Sequence, residues 1–364
     1  MWHTILGQPL ALRVLQSHLV RQRIAPAYLL VGPEGVGKRT AAVEMAKSVN
    51  CDRAGTFHAG EEVSTAVGPS TDRGGTLAAA EGVSATAGLP TDPNWYYGPC
   101  DACASCQKIT RDVHPDVHRL SPHGASESIP IDDVRHLLER VSLRPYMGKR
   151  TVAIIDGADR LTEEAANSLL KALEEPPGQT VFLLTTAHPA RCLSTIISRC
   201  RIVRFQRLTA DVIEQLLTRI HPDEPQLARA AGRLAQGSMA RAVELCAQWA
   251  HHEATVKLLE SDGVAAWLSW EMPKDREELS RWLGEAILWL RDVAVAGVAD
   301  SSLVDHPHAL EAIRRQASRV DPDRCVSTAL SLVELKTSLD EQSISPRLVG
   351  TLLRERWIEL LHDS

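Results

Sequence analysis

The sequence predicts an α/β domain built on a parallel sheet, followed by an all-helical second half. Three observations predict it. The run AYLLVG at 27–32 is apolar almost throughout and ends in glycine, as a strand buried on both faces does. It leads into a glycine-rich loop and then the helical stretch RTAAVEMAKSVN, giving the order strand, loop, helix. Further apolar runs alternate with amphipathic stretches of helix length until Thr209, where strand-like runs cease.

Taken in order, residues 6–24 carry Leu10, Leu12, Val14, Leu15 and Leu19, positions that fit a helix. In the loop VGPEGVGKRT at 31–40, Gly32, Gly35 and Gly37 let backbone N–H groups close around an anion, and Lys38 supplies a point charge for terminal phosphates. The next position should carry the hydroxyl that holds Mg²⁺; it is Arg39, with Thr40 one place late. One residue on a helix turns a side chain by about 100°, so Thr40 is not expected to substitute. The loop therefore reads as one that holds a nucleotide and is poorly equipped to hydrolyse it.

Residues 54–99 are rich in Ala, Gly, Thr, Ser and Pro, and VSTAVGPSTD at 63–72 partly recurs as VSATAGLPTD at 83–92. They read as a flexible surface insertion with a small duplication. Order resumes at Ile129 with a helix opening near Asp132 and Asp133, then a buried strand at 151–155 ending in Asp156. LTEEAANSLLKALEEPP gives a helix with Thr162 as N-cap, acids in its first turn, and a stop at Pro176 and Pro177. Strands follow at 180–186 and 201–205. Beyond Thr209 come helices, with Trp249, Trp267, Trp270, Trp282, Trp289 and Trp357 expected to fill a helical core.

The 364 residues suffice for two or three domains, and 44% hydrophobic with 24% charged residues is the balance of a soluble globular chain. A net charge of −6 confines any DNA contact to a local patch. No run of 18 apolar residues appears, so no membrane span is expected, and the N-terminus does not read as a signal peptide. Eight cysteines, four with metal-type spacing, suit a reducing cytoplasm.

Three constellations bear chemistry. The first pairs the loop with the strand ending at Asp156. A hydrolytic site needs an acid there to hold Mg²⁺ and a general base beside it. Asp156 fits the first role, but Gly157 follows it, and Asp159 stands three residues on across a turn. Two catalytic parts thus fail independently. The second is CDACASC, which sets Cys100, Cys103 and Cys106 two residues apart, with Cys51 ahead of the insertion. Four thiolates fit a tetrahedral structural zinc, with His114 a spare ligand. The run shares part of an iron–sulfur spacing but lacks the fourth cysteine followed by proline. The third is Arg199, just ahead of the strand at 201–205, on the rim of the sheet. Two readings stand for it: a surface arginine with a carboxylate partner, or a planar, permanently charged donor reaching a neighbouring subunit's phosphate.

GPEGVGK, IIDGADRLTEEAANSLLKALEEPP and FLLTTAHPARCLSTIISRCRIVRF, in this order, resemble the delta-prime family of bacterial DNA polymerase III clamp-loader subunits, within the AAA+ ATPases. The likeness runs over residues 1–250, with 54–99 outside it. Motor subunits of that group carry Lys-Thr or Lys-Ser in the loop and an acid pair after the strand; this chain departs on both counts, as delta-prime subunits do. The resemblance implies an AAA+ domain at 1–207 with a zinc module from Cys51 to Cys106, a helical lid at 208–247 and a helical oligomerisation collar at 248–364. It implies that Arg199 is an arginine finger in trans, that Thr185 and Thr186 match the polar position sensing a γ-phosphate, and that Arg241 matches the second sensor arginine. Gly32, Gly35, Gly37, Lys38, Arg39, Thr40 and Asp156 complete the nucleotide-binding set, with structural Zn²⁺ as the implied cofactor and ATP with Mg²⁺ as a candidate that the altered loop argues against.

The implied partners are motor subunits and a delta subunit in a hetero-pentameric ring, with the sliding clamp and primer–template DNA met through the complex, in the cytoplasm. Its own ATPase is expected to be absent or negligible, although the holoenzyme served is a DNA-directed DNA polymerase, a nucleotidyltransferase. The competing readings are an ATP-hydrolysing motor subunit, with Thr40 and Asp159 standing in, and a zinc-dependent nucleic-acid-binding module.

Overall fold

The computed structural model describes residues 2, 5–53, 57–59, 95–124, 127–261, 263–299, 303–341 and 344–362. They form two units, Met1–Leu208 and Thr209–Ser364.

In the first unit the order is α1 (Pro9–Val20), β1 (Ala27–Val31), α2 (Lys38–Asn50), β2 (Phe57–Ala59), β3 (Trp95–Tyr97), α3 (Ala104–Thr110), β4 (Val117–Leu120), α4 (Ile131–Val141), β5 (Val152–Ile155), α5 (Glu163–Glu174), β6 (Val181–Thr186), α6 (Ser194–Arg199) and β7 (Arg201–Arg204). Five of these strands make one parallel sheet in the order β4-β5-β6-β1-β7. The α/β expectation is met. β2 and β3 pair antiparallel, Phe57 opposite Tyr97. Most of the insertion expected at 54–99 lies outside the described residues.

β1 is an inner strand, with Leu29 opposite Leu184 of β6 and Ile202 of β7. Its alternate residues face different layers. Ala27 and Leu29, with Ala153 and Ile155 of β5 and Phe182 and Leu184 of β6, pack on Val134, Leu137 and Val141 of α4 and Ala165, Leu169 and Leu173 of α5. α2 packs against β1, β5 and β6. A strand covered on both faces must be apolar at every position, which is why the pattern runs continuously rather than alternating. Thr162 caps α5 as expected, its hydroxyl accepting from Ala165 N–H at 3.3 Å.

Sequence reasoning missed β4. Its residues VHRL are all half-buried and carry His118 and Arg119 in the middle, so neither a continuous apolar run nor an alternation marks it. Among the described residues it is held as an edge by β5 alone, Val117 opposite Val152. The first helix is shorter than the 6–24 its apolar positions suggested: Pro9 occupies its first turn, and Gln22 just past its end has φ 51°.

The second unit is helical among its described residues: α7 (Ala210–Ile220), α8 (Pro225–Leu234), α9 (Met239–Ala247), α10 (Trp249–Leu259), α11 (Val264–Ser269), α12 (Arg276–Val298), α13 (Leu310–Ala317), α14 (Pro322–Asp340) and α15 (Pro346–His362). α12 is its axis, packing against α10, α13, α14 and α15. Asp275 caps it by accepting from Glu278 N–H, and Glu277 and Glu278 favour its positive end. Four of the six tryptophans lie fully inside: Trp267 stacks on Trp357 at 4.8 Å and meets Trp282 edge-on at 5.6 Å, while Trp289 donates to Gln316 Oε1 at 2.8 Å. Among the described residues no helix is long and apolar enough to cross a membrane.

Gly32 has a packing reason to be glycine. A Cβ there would meet the carbonyl oxygen of Phe205 at 2.4 Å and its Cβ at 2.9 Å, because the end of β1 runs tight against the residue leaving β7. Gly32→Ala should therefore destabilise the first unit by about 1–3 kcal/mol through overpacking. The urea midpoint should fall at unchanged slope; an unaltered midpoint would refute the close approach.

Candidate functional site

The parallel sheet brings the ends of β1, β5 and β6 to one edge, and with them the loop, Asp156 and the two threonines. Gly35 and Gly37 have φ of 70° and 94°, the left-handed conformation that a side chain disfavours. Gly37 starts α2 without a side-chain cap, so the first N–H groups of the helix have no side-chain acceptor at the cap and are available to an anion. Lys38 is buried and folds back, its Nζ donating to the carbonyls of Gly32 at 2.6 Å and Pro33 at 2.5 Å. Burial pulls its pKa below the usual lysine value against the opposing pull of Glu34, Asp156 and Asp159. The residues fit a phosphate cradle.

The place of the metal is different. Arg39 Nε lies 3.5 Å from Asp156 Oδ2, so a guanidinium stands against the carboxylate that would help hold Mg²⁺. Thr40, one position on, is exposed. The other Asp156 oxygen accepts from the Thr185 hydroxyl at 2.6 Å, and that hydroxyl accepts from Gly157 N–H at 3.1 Å. Thr186 donates to Asp159 Oδ1 at 2.7 Å. Asp159, whose side chain is buried, is thus engaged by a threonine within the sheet edge. Gly157 takes φ 84°, with the side chains of Pro122 and Arg160 within 3.3 Å of any Cβ built there. A base at that position would be strained as well as crowded.

Arg199 ends α6, and its Nε donates to Glu174 Oε1 at 2.6 Å, with Nη2 on the same oxygen and Nη1 on the carbonyl of Thr195 at 3.0 Å. The two side chains are 31% and 48% exposed, so the pair lies at the surface. Glu174 is the last residue of α5, and this partner was not named from sequence. Arg241 belongs to the second unit, where its N–H reaches the cap Ser238 at 3.3 Å and its guanidinium donates to Gln236 at 3.1 Å.

The four cysteines converge. Their sulfur atoms all lie within 4.8 Å of one another, all are free thiols, and Cys51 Sγ is 4.0 Å from Cys103 Sγ. A tetrahedral zinc with Zn–S of ~2.3 Å spaces its sulfurs by about 3.8 Å. Backbone N–H groups of Cys100, Cys103 and Cys106 each point at the sulfur of another cysteine in the set at 3.4 Å, which favours thiolate. The hydrogen bond between Cys106 and Cys51 holds the Cys51 thiol below its usual value and pushes Cys106 above it. Zinc would be held by these four thiolates and would tie α2 to α3. His114 is not a ligand: Nε2 lies 3.2 Å from Ser105 Oγ, and Nδ1 accepts from Asp116 N–H at 3.1 Å. Asp116 in turn accepts from the N–H groups of Tyr146, Met147 and Gly148, fixing the loop behind the cluster.

The family model described as DNA polymerase III, delta subunit, matches residues 7–66 and 77–209. It runs through much of the insertion expected to lie outside the likeness, leaving only 67–76 unmatched. The chain is 28% identical over 346 residues to the DNA polymerase III subunit delta' of Bacillus subtilis, covering 91% of each. It is 34% identical over 205 residues to the delta' subunit of Pseudomonas aeruginosa, 56% of this chain and 50% of that one. It is also 31% identical over 250 residues to the tau subunit of Bacillus subtilis, 67% of this chain and 37% of that one. A solved structure of a DNA polymerase III gamma subunit-related protein from Thermotoga maritima superposes with a TM-score of 0.42 at 17% identity, covering 94% of this chain and 99% of that one. The chain belongs to the bacterial DNA polymerase III delta-prime family of clamp-loader subunits.

Co²⁺ offered to the stripped full-length chain should produce the near-ultraviolet thiolate-to-cobalt charge-transfer band of a Cys₄ site, and Cys103→Ala should remove most of it. Equal band intensity in the variant would mean that the cluster does not hold the ion.

Proposed function

We propose that this delta-prime family member serves its clamp loader as a stator: it does not turn over ATP, and it lends Arg199 to the ATP site of an adjacent motor subunit. The observation that carries the first half is the Arg39 guanidinium against Asp156, in the place where a hydroxyl and Mg²⁺ would be needed. A hydrolytic site must neutralise phosphate with a metal and orient a water with a base. Here a fixed cation takes the metal's neighbourhood, and Gly157 offers no base. Lys38, the glycines and the uncapped start of α2 are still suited to bind a nucleotide's phosphates. Arg199 at the end of α6, half-exposed and donating through several N–H groups, has the chemistry an arginine finger requires.

On this reading the 208–247 segment is the lid and 248–364 the collar that joins the chain to motor and delta subunits in a five-membered cytoplasmic ring. ATP binding by the motors opens the sliding clamp, and primer–template DNA triggers hydrolysis and release. The Cys₄ cluster holds structural zinc. Thr185 and Thr186, already committed to Asp156 and Asp159, act as internal struts rather than phosphate sensors.

Arg199→Ala should leave the fold of the chain intact and, in the reconstituted complex, lower hydrolysis at the motor site it serves by roughly 10³-fold or more in single turnover. Unchanged DNA- and clamp-stimulated ATPase would remove the finger assignment. For the chain's own loop, labelled ATP should bind the isolated protein equally with and without Mg²⁺ and remain unhydrolysed. Turnover abolished by Lys38→Ala would instead make it a motor.

A further inference from the structure

His252 of α10, Glu285 of α12 and His306, in the segment before α13, meet inside the second unit, far apart in sequence and matching no motif. All three are buried, and one ligand atom from each lies within 4.8 Å of the others. His252 Nδ1 is 3.1 Å from Glu285 Oε2, and His306 Nε2 is 3.7 Å from the same oxygen. Yet among the described residues these atoms, and His252 Nε2, have no partner in hydrogen-bonding geometry. Buried polar atoms are rarely left so, and here they face one another.

We propose that His252, Glu285 and His306 form a second metal site, for a divalent transition ion of the zinc class. The separations suit one. Ligand bonds of 2.0–2.1 Å in a tetrahedron put donor atoms about 3.3 Å apart, between the two distances observed. The tautomer is set for it. His306 Nδ1 lies 2.8 Å from Asp292 Oδ2, and that oxygen also accepts from the N–H groups of Asp305 and His306 at 2.9 Å. Asp292 is wholly buried, its other oxygen taking a hydrogen bond from Arg291 at 3.0 Å, so it is held as a carboxylate acceptor. With Nδ1 donating its proton to Asp292, Nε2 presents a lone pair toward Glu285. A carboxylate behind a histidine in this way orients the ligand and raises its basicity. Glu285 supplies one negative charge directly to the ion. The rings of His252 and His306 stack at 5.8 Å, Trp249 covers His252 at 4.7 Å, and Trp289 meets His306 at 5.6 Å, so aromatic rings pack against both imidazoles. A pocket of about 220 Å³, lined in part by His251, His252, Glu285 and Lys336, gives an ion access from solvent.

The site can be read in the presence of the cysteine cluster because that cluster contains no imidazole. Full-length protein loaded with Co²⁺ should show hyperfine-shifted, exchangeable imidazole N–H resonances in its proton NMR spectrum. Glu285→Gln should abolish those resonances and reduce bound cobalt by one equivalent per chain, leaving the thiolate charge-transfer band unchanged. Absence of shifted imidazole resonances in the wild-type protein, which needs no variant to fold, would overturn the proposal. So would their persistence, with unchanged cobalt content, in folded Glu285→Gln protein.

Discussion

The placement of β1 between β6 and β7 is the constraint on which the first unit depends. Both neighbours run parallel to it, so Val31 lies opposite Thr186 on one side and Arg204 on the other. Parallel strands present their carboxyl ends to one edge, where loops gather. The loop after β1, the acid after β5 and the threonines ending β6 are therefore neighbours by topology, not by attraction for one another. The N–H of Gly32 bonds to the carbonyl of Thr186 and that of Phe205 to Val31, carrying the sheet's register into the loop.

Within that frame, small changes of residue type alter the chemistry without moving the backbone. Arg39 is on the first turn of α2, where a hydroxyl would be short enough to meet a metal; a guanidinium instead spans the gap to Asp156. The pair is too exposed to contribute much stability. Its consequence is occupancy and charge: the carboxylate already has a permanent counter-ion. The threonines show the same economy of means. Each hydroxyl is bound to a carboxylate of the segment after β5, which stiffens the edge.

What was legible in the sequence follows from how local each signal is. β1, β5 and β6 declared themselves because burial on both faces forces a continuous apolar run. β4, an edge with His118 and Arg119 inside it, gave no such pattern. Three of the four clustered cysteines announced themselves by spacing, and Cys51 by its place after the loop helix. His114 seemed available because a sequence does not reveal that Ser105 and Asp116 occupy both ring nitrogens. Glu174 was invisible as the partner of Arg199, since only the packing of α5 against α6 joins them. The histidines and glutamate of the second unit come from separate segments, so no window of sequence contains their pattern.

The Arg199–Glu174 pair bears on the proposed trans role through its magnitude. A surface ion pair typically contributes about 0.2–1 kcal/mol, and this one is open to solvent on both sides. An arginine finger contributes about 10³–10⁵ in rate, or roughly 4–7 kcal/mol of transition-state stabilisation. On the proposed trans role, a pair this weak would not hold the guanidinium back from a transferring phosphoryl group. Until then Glu174 holds the side chain out from the end of α6 in one arrangement, lessening the rotamer freedom that would have to be lost on assembly. A lysine could not keep the multidentate contact to Glu174 and Thr195, and in the proposed trans role it would match the spread of charge on a transferring phosphoryl group less well.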